Sequence, residues 1–249
     1  MVFLSGGTDS SFIAFAAQAV GKTVESITFR MSNCDTPDSI QAEKTAQIMG
    51  WKHHLVDVPT DDMNSAYLQM VRGYKCGRKT EIECLYPMIF VIEKARQLGF
   101  KQALTGLDQY VYADSRNWRI LAANSESDFE DAKQASLDAG GTHAGRLITE
   151  TARKSGIELS RPLFERELLG IFAGVLPKDS DKPYPKHHFK NVYYSQFEKC
   201  GMLKTAGANL QKVANIESYF APLLDDAEVN IGNFKTGDIT SRLSRLARS

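Results

Sequence analysis

Four short β-branched or apolar runs, residues 1–4, 24–29, 54–58 and 102–105, recur through the first 105 residues with segments of helical length between them. Strands separated by helix-length crossovers pair in parallel, because a tight hairpin can only return the chain in the opposite direction. The crossovers then cover both faces of the sheet with helices. Helical periodicity predicts helices over residues 11–20, 38–49 and 85–98. The stretch TPDS supplies a cap and a proline to the second, and Gly99 stops the third. After residue 108 the apolar runs cease, and residues 126–139, 143–154, 164–175 and 186–197 carry helical patterns. The reading is an α/β core over residues 1–125 and a mainly helical portion over 126–249 that completes the same site, punctuated by DAGGTHAG and LPKDSDKPYPKHH.

With 249 residues, 43% of them hydrophobic, the chain can bury a substantial core. Thirty basic residues cancel thirty acidic ones, so no net field favours nucleic acid or an anionic membrane. No apolar run reaches the roughly 18 residues that a bilayer span requires, and the expected location is cytoplasmic. Cys34, Cys76, Cys84 and Cys200 show no CxxC spacing and are expected to be reduced thiols. The pairs His53–His54 and His187–His188 have no further ligand at zinc-site spacing, so no zinc centre is expected there.

The first apolar run opens into FLSGGTDSS, residues 3–11. In a strand-turn-helix unit, glycines let the backbone approach a ligand, and the unpaired N–H groups at the helix start attract an anion. The loop lacks the GK[ST] ending of one common phosphate loop and the GxGxxG of another. It resembles instead the pyrophosphate loop of the PP-loop ATP pyrophosphatases, whose SGGxDS pattern is met at Ser5, Gly6, Gly7, Asp9 and Ser10. The resemblance implies an adenine nucleotide alpha hydrolase-like parallel sheet that binds ATP and Mg2+. It also implies phosphate contacts from Ser5, Gly6, Gly7, Thr8, Asp9, Ser10 and Ser11, nucleotide contacts from the backbone of Phe29, Arg30 and Met31, and Gly106 at the same site.

Three later segments resemble the synthetase domain of asparagine synthetase and β-lactam synthetase: residues 38–58, residues 157–177, and PKHHFKN, in which Lys186 and Lys190 keep a four-residue spacing. That likeness implies a catalytic Lys186 against the α-phosphate, a phosphate-binding Lys190 where the family has arginine, and magnesium held by Asp9 with Asp108. The family segment around Asp108 is two residues longer than TGLDQ, so Asp114 is an alternative to Asp108. Met1 is followed by valine rather than a nucleophilic cysteine, and no glutaminase domain is expected. The nitrogen would come from ammonia, an amine substrate or a separate donor. YKCGRKTEIECLYP, with Lys75, Arg78, Lys79, Glu81 and Glu83, falls where PP-loop proteins meet the acceptor. The implied reaction adenylates a carboxylate or carbonyl oxygen of a small-molecule acceptor, releases pyrophosphate and forms an amide or C–N bond. A nucleobase, nucleoside or tRNA acceptor is the alternative, and a degenerate nucleotide-binding module is another.

Overall fold

The computed structural model describes residues 1–77, 79–107, 140–165 and 191–202, with isolated positions between 127 and 135 and between 216 and 220. Its centre is a five-stranded parallel sheet in the order β3-β2-β1-β4-β5. In chain order the elements are β1 (Val2–Phe3), α1 (Thr8–Ala19), β2 (Glu25–Met31), α2 (Pro37–Met49), β3 (Lys52–Val58), α3 (Met63–Arg72), α4 (Lys79–Gln97), β4 (Gln102–Thr105), α5 (His143–Lys154), β5 (Glu158–Ser160) and α6 (Tyr194–Lys199). Short 3-10 turns at Pro162–Phe164 and Asn191–Tyr193 follow β5 and precede α6. No described helix is long and apolar enough to cross a membrane.

Alternation along the strands divides the core in two. Phe3, Ile27, Phe29, Met31, Val56 and Val58 point to the face covered by α3, α4 and α5, where they meet Tyr67, Met70, Leu85 and Ile148. Val2, Leu4 and Val24 point the other way, onto Ile13, Phe15, Ala42, Ala46 and Trp51 of the α1 and α2 layer. Segment 193–202 closes this second layer. Phe15 meets the rings of Trp51 at 5.6 Å and Phe197 at 5.1 Å, and the Gln41 side chain donates to the Cys200 carbonyl at 3.0 Å.

The α/β parallel sheet is as the alternation predicts, and β4 and α5 occupy the predicted residues. In α2, TPDS acts as expected and further: Thr36 is the N-cap, Pro37 the first helical residue, and Ser39 completes a reciprocal capping box. Three differences have physical causes. β5 is a strand in the half expected to lack them; three residues with one buried side chain, Leu159, are too few to show a period. Helix α3 was not foreseen; its start depends on Asp62, whose carboxylate accepts from the Ser65 N–H at 2.9 Å. Helix α4 begins at Lys79 rather than 85 and carries Pro87 inside it, a residue that ordinarily marks a helix edge. The predicted helices over 126–139 and 164–175 fall almost wholly outside the described residues, and 186–197 falls outside them as far as residue 190.

Candidate nucleotide site

From β1 the chain crosses through α1 to β2 and on to β3, all to one side, and then returns to lay β4 against the other side of β1. Parallel sheets bind ligands at the carboxyl ends of strands where the winding direction reverses. Here that point lies between β1 and β4, and the SGGTDSS loop leaves β1 at that edge.

The loop is braced from within. Ser10 Oγ accepts from the Ser5 N–H at 3.0 Å, lies 3.0 Å from Ser5 Oγ and donates to the Gly7 carbonyl at 3.2 Å. Ser11 Oγ donates to the same carbonyl at 2.9 Å. Ser10 and Ser11 are buried, so their hydroxyls shape the loop rather than project from it. Gly7 is the N-cap of α1 in an extended conformation (φ −80°, ψ 162°), and no side chain caps the helix. The opening turn of α1, with Thr8 and Asp9, therefore meets the crevice with a backbone cap, the arrangement that suits an anion.

Two close approaches fix this loop. Gly6 has φ +75°, and a Cβ there would drive into the carbonyl oxygen of Asp38 and stand 3.0 Å from its carbonyl carbon. Gly106 follows β4, and a Cβ on it would lie 2.7 Å from the Ser10 nitrogen and 2.8 Å from the Asp9 carbonyl carbon. The first turns of α1 and α2 and the chain leaving β4 thus meet through bare glycine backbone. Asp108 and its alternative Asp114, like Lys186 and Lys190, lie outside the described residues.

At the end of β2, Ser32 and Asn33 both have positive φ (49° and 56°), and the Cys34 N–H returns to the Met31 carbonyl at 2.9 Å. Consecutive non-glycine residues in this conformation store strain, and such strain gathers at ligand sites. Phe29 and Met31 are buried in the core, leaving only their backbone toward this edge. The Arg30 guanidinium is held by Asp57 at 2.5 Å and Asp35 at 2.6 Å, which push its pKa up. Its side chain anchors the turn.

Asp38 lies in the first turn of α2, as the sequence predicts, and the structure also sets its backbone against the SGGTDSS loop. Burial pushes its carboxyl up to about 7. An acid whose folded pKa is raised loses stability as pH climbs from its unfolded value, about 4, to the folded one, because only the unfolded chain ionises freely there. Asp38→Asn is therefore expected to melt above the wild type at pH 8 and to converge with it below about pH 4. A pH-independent difference in melting temperature would refute the burial of this carboxyl.

The asparagine synthase family model matches residues 1–107. Over those residues the chain is similar to the PP-loop domain of that family. Its similarities to known proteins extend beyond them. One relative is the tRNA-specific 2-thiouridylase of Campylobacter lari, 26% identical over 144 residues, covering 51% of this chain and 42% of that protein. Another is asparagine synthetase [glutamine-hydrolyzing] 2 of Arabidopsis thaliana, 22% identical over 236 residues, covering 80% of this chain and 39% of that protein. The chain thus spans about two fifths of the length of these curated relatives. Among solved structures, a predicted subunit of tRNA methyltransferase from Methanocaldococcus jannaschii is similar at 21% identity and a TM-score of 0.38, over 69% of this chain and 73% of that one.

Proposed function

We propose that the protein uses Mg-ATP to adenylate a substrate carboxylate or carbonyl oxygen, releases pyrophosphate, and then joins an amine to the activated carbon. The observation that carries this reading is the backbone-capped start of α1 at the reversal point of the sheet, next to a loop whose serines brace it from inside. Charge builds up on the phosphates as the α-phosphorus is attacked, so preorganised N–H donors aimed at the leaving pyrophosphate lower the barrier. Magnesium, when bound, neutralises the same leaving group through hard oxygen ligands. Asp9, on the first turn of α1, supplies one such carboxylate, and Asp108 or Asp114 supplies another. The loop backbone orients the triphosphate, and Phe29 to Met31 offer peptide groups to the base and ribose at the end of β2.

Lys186 is proposed to reach the α-phosphate and steady the charge in both adenylation and transfer, with Lys190 acting on nucleotide affinity. Lys186→Met is expected to lower kcat by about 100-fold with little change in KM for ATP. Equal and mild effects from Lys186→Met and Lys190→Met would remove both roles. The nitrogen donor is proposed to be ammonia, an amine substrate or a separate protein. The thiouridylase relatives favour a second reading in which the acceptor is a base of tRNA. Labelled ATP offered with amino acids in one series and with nucleosides and tRNA in the other separates the two. Acceptor-dependent AMP and pyrophosphate in the amino acid series supports the first reading. The same products only with nucleosides or tRNA support the second, and none in either series refutes both.

A further inference from the structure

Helices α4 and α5 lead into β4 and β5, so each runs against the strand it feeds, and its first turn stands at the carboxyl edge of the sheet, the edge from which the SGGTDSS loop also leaves β1. Two side chains from those first turns meet. Glu81 of α4 is 3% exposed; its Oε2 accepts from the Gly77 N–H at 2.6 Å, and its Oε1 lies 2.9 Å from Nδ1 of His143, the first residue of α5. The imidazole is 43% exposed, and Nε2 has no partner among the described residues. A buried carboxylate can only accept from Nδ1. In the neutral imidazole the proton therefore sits on Nδ1, and the lone pair of Nε2 is turned away from Glu81.

We propose that His143 is the general base of the transfer step and that Glu81 is its positioning residue, an inference that rests on the adenylating reading above. As an amine attacks the adenylated carbon, the N–C bond forms and the C–O bond to the phosphate breaks. The bonding pair leaves on AMP, and the proton of the attacking nitrogen passes to Nε2. The resulting imidazolium is stabilised by the Glu81 carboxylate and returns its proton to water. The surroundings hold that carboxylate in place. Gly77 fixes its other oxygen, and Cys76 stays a protonated thiol, because burial first and then the Glu81 charge push it up to about 12. On the far side Arg161 donates to the Gly140 carbonyl at 3.1 Å, and the Arg146 stem packs near Gly140, so two cations stand close to the start of α5.

The test separates the two half-reactions of the full-length protein. Pyrophosphate exchange into ATP is measured with each of the twenty amino acids as the carboxylate, and transfer is measured with ammonium chloride as the amine. His143→Ala is expected to keep exchange within about threefold and to lose about 100-fold or more in transfer, as for a removed general base. Transfer should lose its rise with pH and be partly restored by free imidazole, which a purely structural role would not allow. Glu81→Gln is expected to lower transfer by about 10- to 100-fold, the range for groups that orient a functional histidine. Nitrogen NMR should show the proton of His143 on Nδ1 in the wild type and a mixture of tautomers in Glu81→Gln. If no carboxylate supports exchange in the wild type, the adenylating reading fails and the NMR result alone decides the dyad. Unimpaired transfer in His143→Ala, or a proton on Nε2 in the wild type, overturns the dyad and leaves the adenylating reading intact.

Discussion

Gly6→Val is expected to abolish ATP binding in calorimetry. Two separate penalties act at this position. The φ of +75° is one that a β-branched residue adopts only under strain, and the new Cβ would enter the carbonyl oxygen of Asp38, which is backbone and cannot swing aside. The loop must therefore leave α2, and the N–H groups it presents lose their common aim. Gly21→Val separates the penalties, because Gly21 has φ +77° with open space around it. That variant should show the strain, on the order of 1–2 kcal/mol of stability, with ATP affinity unchanged. Wild-type affinity in a folded Gly6→Val protein would remove the loop from the phosphate site.

The second large effect is expected from Asp9→Asn. The residue stands on the first turn of a helix whose N-cap contributes no side chain, the turn to which the proposed reading assigns the phosphates. A carboxylate placed beside bound phosphates lowers affinity unless a cation lies between them. Its benefit therefore appears in the release of pyrophosphate with magnesium. Asp9→Asn should cut pyrophosphate release by about 100- to 1000-fold, on the scale of one preorganised electrostatic contact, while the melting temperature shifts by only a few degrees. It should also flatten the dependence of the rate on magnesium concentration. Near wild-type release with normal magnesium dependence would place the metal on other residues.

The first strand was legible because a strand buried on both faces reads as an unbroken apolar run, as in Val2–Phe3–Leu4. The loop itself was legible because its glycines, hydroxyls and carboxylate are contiguous. What surrounds it was not. Gly106 reaches the first turn of α1 from across the sheet, and Asp38 reaches Gly6 across a crossover, so neither approach leaves a local pattern. The same holds for Glu81 and His143, whose meeting depends on α4 and α5 packing side by side. At Arg30 the sequence spoke only for the backbone, and the partners of the guanidinium, cross-strand Asp57 and the turn residue Asp35, leave no local pattern.

The central strand is also the shortest that carries the site: β1 has two residues, Val2 and Phe3, each paired with β2 on one side and β4 on the other. So few rungs cannot set the height of the loop by themselves. It is suspended between two neighbouring registers, and a slip of one residue in either would carry it by about 3.3 Å, more than a hydrogen bond tolerates. Nucleotide binding and the cohesion of the middle of the sheet are in this way one equilibrium seen from two ends. Phosphates that tie the loop to α1 also tie β1 to its neighbours, and whatever loosens β2 or β4 weakens the grip on the nucleotide.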